Sequence, residues 1–342
     1  MGGRRAAPHP GSGQHRGGCR YRAGGTPTDH RAPSAVSRGL GDWVISAVPS
    51  LAAHLLTARF LSRKRPLLAG FKVTHRCNCR CAACPFWRRP APDIPFERAV
   101  ATLDRLREVG VKLLIFEGGE PFLWRDGDRR LEDLVVEAKR RFLRVGVTTN
   151  GTLPLESSAD ILWVSVDGLR ETHDRLRGEG VFERAIAHIE ASTHPRIYAN
   201  ITISRANVDE IPDLVRFLAD RVRGITIQFY YPYPESEDLW LPRERRRAVL
   251  DELIRLKRAG YPLLDSVTAL KHLKDNTWRC HPWLIASADP DGTVTQGCYL
   301  LNRAEVACAR CGFAAHVEMS LAYDLHPAAV WTGMKVFRLA SG

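Results

Sequence analysis

The sequence predicts an α/β fold: a partial (β/α)6 barrel of parallel strands, followed by a small C-terminal cysteine-rich module. Three observations predict it. Between residues 69 and 258, six short strands rich in Val, Ile and Leu alternate with helical periods, the pattern of a parallel sheet with helices outside. Polar and glycine-rich motifs follow those strands, and parallel α/β sheets carry their chemistry at the carboxyl ends. From about residue 262 the alternation stops, and Cys, Gly, Asp and Trp increase.

In chain order, residues 1–42 read as a basic Gly/Pro/Arg-rich tail, with seven Arg against Asp29 and Asp42. Such a segment buries too little apolar surface to offset its ordering entropy, so disorder is expected. The alternative is a start codon further downstream. Residues 43–66 read as an amphipathic helix ending in the basic run SRKR at 62–65. Pro49, His54 and Arg59 interrupt its apolar stretch, which is marginal for a span of about 20 apolar residues. Two placements stay open: on a membrane surface, or packed on the barrel's flank. The core occupies 67–261. Strands are expected at 69–74, 112–116, 145–150, 161–168, 196–204 and 224–231. Helices are expected at 96–109, about 129–142, 182–192, about 208–221 and about 243–258. Residues 262–342 form the cysteine-rich module, a short segment that needs a staple where a core is lacking.

Composition narrows the function classes. The chain has 342 residues, 44% hydrophobic and 26% charged, which excludes collagen, coiled coil and a multi-span membrane protein. The net charge of +12 comes without an aromatic-interleaved basic strand or a helix-turn-helix, so nucleic acid is not expected as a partner. Eight of the nine cysteines fall into two clusters far apart in sequence. That distribution argues for metal in a reducing compartment rather than a disulfide scaffold. The start lacks an apolar stretch behind its Arg pair, so no export signal is read. A cytoplasmic location, with membrane association open, is the expectation.

Cys77, Cys81 and Cys84 form C-x3-C-x2-C directly after the first strand. A structural zinc site takes four ligands, whereas three thiolates on one loop suit a [4Fe–4S] cluster with one iron left for a small molecule. A zinc loop is the rival reading. The spacing and position resemble the radical S-adenosylmethionine (SAM) superfamily, over about residues 69–231. The resemblance implies SAM as cofactor, its reductive cleavage to a 5′-deoxyadenosyl radical, and a one-electron donor such as flavodoxin or ferredoxin. Cys79 does not fit the ligand spacing and is expected to be a spectator. Ala83 stands where the superfamily often has an aromatic residue, which leaves Phe86 as the candidate for adenine packing.

Further motifs match in order. Gly118, Gly119, Glu120 and Pro121 follow the second strand, and the resemblance assigns this element to the SAM amino group. Asn150 ends the third strand, and Ser165 and Asp167 end the fourth. By resemblance they lie near the SAM ribose and carboxylate, although Asn-Gly and Asp-Gly are also plain turn formers. His173-Asp174 and Arg177-Gly178 continue the phrase. Arg177 either pairs with the SAM carboxylate or holds the loop. Asn200 and Thr202, on the fifth strand, are either SAM contacts or interior packing.

Cys280, Cys298, Cys308 and Cys311 give C-x17-C-x9-C-x2-C. Four thiolates complete an auxiliary [4Fe–4S] cluster or a zinc site, with His281 and His316 as rival ligands. Superfamily membership favours iron–sulfur. The tail resembles the hopanoid-biosynthesis adenosylhopane synthase family through VDGLRETHD at 166–174, GVFERAI at 180–186, CHPW at 280–283 and GCYLL at 297–301. It resembles the SPASM/twitch extension less closely, since Gly292-x5-Cys298 is one residue longer than the usual G-x4-C. The first resemblance implies a small-molecule or lipid substrate, isoprenoid-like, and the second a peptide or protein. A zinc-stapled binding protein without activity is the third reading. The radical step needs no acid or base from the protein, so no catalytic side chain is named.

Overall fold

The computed structural model describes residues 40–89 and 92–339; residues 1–39 of the expected basic tail lie outside them. In chain order come α1 (Leu40–Phe60), β1 (Leu68–Lys72), α2 (Phe96–Val109) and β2 (Leu113–Glu117). A short hairpin, β3 (Arg125–Asp126) and β4 (Arg129–Arg130), precedes α3 (Leu131–Lys139), β5 (Arg144–Thr149) and β6 (Ile161–Ser165). Then follow α4 (Arg170–Arg177), α5 (Val181–Ala191), β7 (Ile197–Ile203), α6 (Ile211–Leu218), β8 (Gly224–Phe229) and α7 (Arg243–Arg258). The last elements are α8 (Val267–Asp275), β9 (Ile285–Ala288), β10 (Val294–Gln296), α9 (Ala314–Tyr323) and α10 (Pro327–Val336).

β1, β2, β5, β6, β7 and β8 pair side by side, each pair parallel. These are the six expected strands, and their order in the sheet follows their order in the chain. β6 is buried along its whole length, as a strand covered on both faces must be. α2 and α7 run over the residues that the apolar periodicity marks. Gly110 ends α2 at a φ of +117° and returns its N–H to the carbonyls of Leu106 and Arg107, a left-handed cap that glycine takes without strain.

The tail departs from a separate module. β9 pairs parallel with β1, and β10 pairs antiparallel with β9, so the sheet grows to eight strands. At the other edge, Ile225 of β8 donates to the Pro262 carbonyl, and Leu264 donates back to Ile225. Phe229 donates to the Gly312 carbonyl, where a Cβ on Gly312 would lie 2.4 Å from the Phe229 Cβ. Tail segments therefore pair with both edges that a partial barrel leaves open, which removes unpaired strand backbone from water. The described residues from Leu40 onward form one compact unit.

α1 rests on this unit. Leu51 and Leu55 pack with Leu67, Leu68, Leu284 and Ile285, and a His54 ring nitrogen hydrogen-bonds the Arg65 carbonyl at 3.0 Å. Among the described residues, no helix is long and apolar enough to cross a membrane.

Candidate cofactor site

A cavity of about 480 Å³ fills the barrel interior. Cys77, Cys81, Cys84, Gly118, Gly119, Asn150, Ser165, Asp167, Arg177 and Asn200 all line it. Parallel pairing brings the ends of β1, β2, β5, β6 and β7 to one rim, so motifs spread over more than a hundred residues meet there. Glu120 and Pro121 lie behind this wall, both buried.

The cysteine loop is pinned from three sides. Ala82 donates to the Leu176 carbonyl of α4 at 2.8 Å. The Trp87 indole donates to the Cys81 carbonyl at 3.2 Å. Asn150 donates from Nδ2 to Asn78 Oδ1 at 2.8 Å and to the Cys79 sulfur at 3.3 Å. Cys79 is buried, and its backbone N–H donates to the Cys77 sulfur at 3.4 Å. The neighbouring Cys79 thiol, together with the Arg177 charge, brings the Cys81 thiol down to about 6 against burial. The Cys77 thiol is lowered by the same Cys79 thiol, whereas burial raises that of Cys84. Three thiols on one loop, two of them biased toward thiolate, suit an iron–sulfur cluster.

Arg177 is held rather than free. Its Nε donates to Asp167 Oδ2 at 2.7 Å, and its Nη1 stands 3.9 Å from the Cys81 sulfur. Asp167 also accepts from the Thr202 backbone N–H at 2.8 Å. Burial works against the Arg177 charge, but Asp167 and Cys81 outweigh it and raise its pKa. The rest of the phrase is structural. The Asp167 N–H donates to His173 Nδ1, and Asp174 accepts from the Gly180 and Phe182 backbones at the start of α5.

Glu120 is fully buried and accepts from Thr149 Oγ1 at 2.8 Å, from the Asn150 N–H at 2.7 Å and from the Phe122 N–H at 3.2 Å. Its carboxyl therefore ties the turn after β2 to the end of β5. Burial still lifts its pKa to about 7. The two glycines before it nest on backbone. A Cβ on Gly118 would lie 2.4 Å from the Thr74 carbonyl oxygen, and one on Gly119 2.2 Å from that of Arg76. Their close approach is to the segment leading into the cysteine loop, which sequence spacing does not reveal.

Other wall residues carried weaker signals. Lys72 is 2% exposed, donates to Glu117 Oε1 at 2.7 Å and to the Tyr299 hydroxyl at 2.5 Å, and sits 4.4 Å above the Phe86 ring. A lone charge inside the apolar strand AGFKVT was its only mark. Phe86 lines the cavity and packs on His75 and Tyr233. Tyr230, Tyr231, Phe229, Phe313 and Trp163 make most of the remaining wall apolar. Asp265, His316 and Glu318 add polar groups to it. Thus His316 faces the barrel, while the His281 ring is engaged by Asp324 at 2.9 Å.

The four tail cysteines differ in exposure. Cys280 and Cys308 are exposed, and Cys298 and Cys311 half-buried. Burial and then the charges of Cys280, Cys298 and Cys308 push the Cys311 thiol up to about 11. Among the described residues, no three His, Cys, Asp or Glu are grouped closely enough to hold one metal ion, either here or at Cys77, Cys81 and Cys84. The loop carrying Cys308 and Cys311 is fixed from below. Buried Arg246 donates to the carbonyls of Leu241, Arg310 and Cys311, and Asn276 donates to those of Cys308 and Cys311.

Comparison with known proteins follows this geometry. Residues 71–218 match the model of the radical SAM superfamily, and residues 224–310 match a domain of unknown function, DUF3463. The chain is similar to the Fe-coproporphyrin III synthase of Methanosarcina barkeri, at 29% identity over 62% of this chain and 57% of that protein. It is similar to the antilisterial bacteriocin subtilosin biosynthesis protein AlbA of Bacillus subtilis, at 30% identity over 45% of this chain and 37% of that one. The chain spans about half the length of the curated relatives it matches. In fold it is similar to Streptococcus suis SuiB, solved bound to S-adenosylmethionine. The TM-score is 0.57 at 14% identity, over 82% of this chain and 71% of that one.

Proposed function

We propose that this radical SAM enzyme acts on a largely apolar, lipid-like or isoprenoid-like molecule held inside the barrel. The observation that carries the reading is the shared cavity: three thiols at its rim and a largely apolar wall beyond them, aromatic at Trp163, Phe229, Tyr230, Tyr231 and Phe313. Cys77, Cys81 and Cys84 would hold a [4Fe–4S] cluster, and Cys280, Cys298, Cys308 and Cys311 a second one. When bound with SAM, the first cluster supplies the electron for reductive cleavage to a 5′-deoxyadenosyl radical, an external one-electron donor having reduced it.

The chain's own residues bind and exclude. Backbone at Gly118 and Gly119 offers polar groups to an ammonium, with Glu120 positioning that turn from behind. Arg177, oriented by Asp167, places a positive charge at the rim for a carboxylate. Ser165, Asn200 and Thr202 add short polar groups for hydroxyls. The aromatic wall keeps water from the reacting centre and matches an apolar substrate. The resemblance of the tail to adenosylhopane synthases supports the same class. A second reading, peptide or protein maturation, is favoured by the likeness to a bacteriocin biosynthesis protein and by the SuiB-like fold.

The test is anaerobic loading with iron and sulfide, then incubation with reductant, SAM and either a lipid extract or a candidate precursor peptide. Mass spectrometry should find adenosylated or hydrogen-abstracted lipids. A modified peptide with untouched lipids would transfer the assignment to the second reading. Absence of 5′-deoxyadenosine under every condition would remove both.

A further inference from the structure

We propose that the end of α1 and the adjoining tail form a docking site for an anionic phospholipid surface, a role separate from the barrel cavity and independent of the substrate assigned to it. A second cavity of about 420 Å³ opens there. Arg59 and Lys64 line it from one side, and Arg279, His281 and Trp283 from the other. Its one acid is Asp324, already engaged by the His281 ring at 2.9 Å. The pocket thus presents three permanent cations to a ligand, the chemistry of a phosphate head group. Arg59 also reaches the Tyr323 carbonyl at 3.5 Å, which joins the helix end to the tail.

Large apolar side chains near or beside its lining residues in the chain are exposed. Phe60 is 73% exposed, Leu61 60%, Leu56 52% and Leu325 58%. Leu56 and Phe60 are one turn apart, on the face of α1 turned away from Leu51 and Leu55, which pack inward. Cations that bind head groups beside apolar groups that enter the acyl boundary are the two components of interfacial attachment. Free phosphate would use the first and leave the second without function. The preceding 39 residues carry seven Arg and a single acid, Asp29, so like charge opposes their filling the pocket. The same repulsion opposes a second copy docking there pocket to pocket.

Vesicle flotation of the full chain tests the proposal. Phosphatidylcholine vesicles containing phosphatidylglycerol should carry the protein up at low salt and release it at high salt, and phosphatidylcholine alone should not. Arg59→Glu and Lys64→Glu should each reduce binding roughly tenfold, and Phe60→Ser should reduce it with the charges intact. All three should keep the wild-type melting curve and 5′-deoxyadenosine yield, since none lines the barrel cavity. Equal binding to neutral vesicles, or none to anionic ones, overturns the proposal. So does competition by glycerol phosphate that leaves Phe60→Ser binding like wild type, which would mark a free-phosphate site. Self-association lost in Phe60→Ser without vesicle binding would mark a contact between copies instead.

Discussion

At Cys81 two neighbours lower one thiol: Cys79, two residues back in the chain, and Arg177, 3.9 Å away. Replacing that sulfur is the sharpest single-residue test. Cys81→Ala should abolish 5′-deoxyadenosine formation while leaving metal at the tail cysteines, read by iron content and EPR. Normal cleavage by that variant would sink the ligand assignment. A different residue sets a pH dependence. Glu318 accepts from the Ser266 N–H and, at 3.1 Å, from its hydroxyl. Burial, then the Asp265 charge, raises its carboxyl to about 8. An acid raised on folding keeps its proton in the folded state while the unfolded chain has lost it. Its ionisation therefore costs stability progressively between the unfolded value near ~4.3 and about 8. Glu318→Gln stays neutral and can still meet both Ser266 groups. The variant should melt like wild type at about pH 4 and outlast it near pH 8, by about 2 °C or more for each ~1 kcal/mol removed. Parallel melting curves across the range would refute the titration. At this scale spacing singled out Cys77, Cys81 and Cys84, and all three line the barrel cavity. It did not make Glu120 legible as a buried tie, because burial depends on partners such as Thr149 and Asn150 that only the sheet brings near.

Among elements, the βα units were readable because each strand is an apolar run and each helix keeps its own period. α2 and α7 end where glycine or a basic turn ends the pattern. The tail elements were not readable. β9 is the four residues Ile285–Ala288 and β10 only three, too short to establish a period. Their placement depends on β1 offering an open edge. The turn after β2 carries the element-scale prediction. Gly119→Ala puts a methyl 2.2 Å from the Arg76 carbonyl oxygen and 2.5 Å from that of His75. Neither backbone can yield without moving the approach to the cysteine loop. A loss of about 1–3 kcal/mol, the usual scale of overpacking, is expected, together with weaker SAM binding by calorimetry. Gly333→Ala is the contrast. No atom lies within 4 Å of its added Cβ inside α10, so relief of backbone entropy should stabilise by about 0.5–1 kcal/mol. Denaturant titration of the pair should give opposite signs.

For the whole molecule, the tail is barrel wall as well as a cysteine-bearing segment. Gly312 receives the Phe229 N–H, α9 contributes Ala315, His316, Glu318 and Met319 to the cavity lining, and Tyr231 stacks on Phe313 at 6.0 Å. Cys311 lies next to Gly312 in the chain, so whatever fixes Cys308 and Cys311 also fixes the strip that closes the barrel beside β8. Arg246 and Asn276 hold the carbonyls of that loop, and a metal at the proposed tail site would hold its sulfurs as well. A double variant, Cys308→Ser with Cys311→Ser, should therefore do two things at once. Iron per loaded chain should fall by half, the first cluster remaining. Amide exchange at Phe229 and along α9 should quicken, while that of β5 and β6, neither of which pairs with β8, keeps its protection. If iron falls and the Phe229 amide stays as protected as in wild type, the tail metal is not what secures the barrel wall. If iron does not fall, those two thiols hold no cluster.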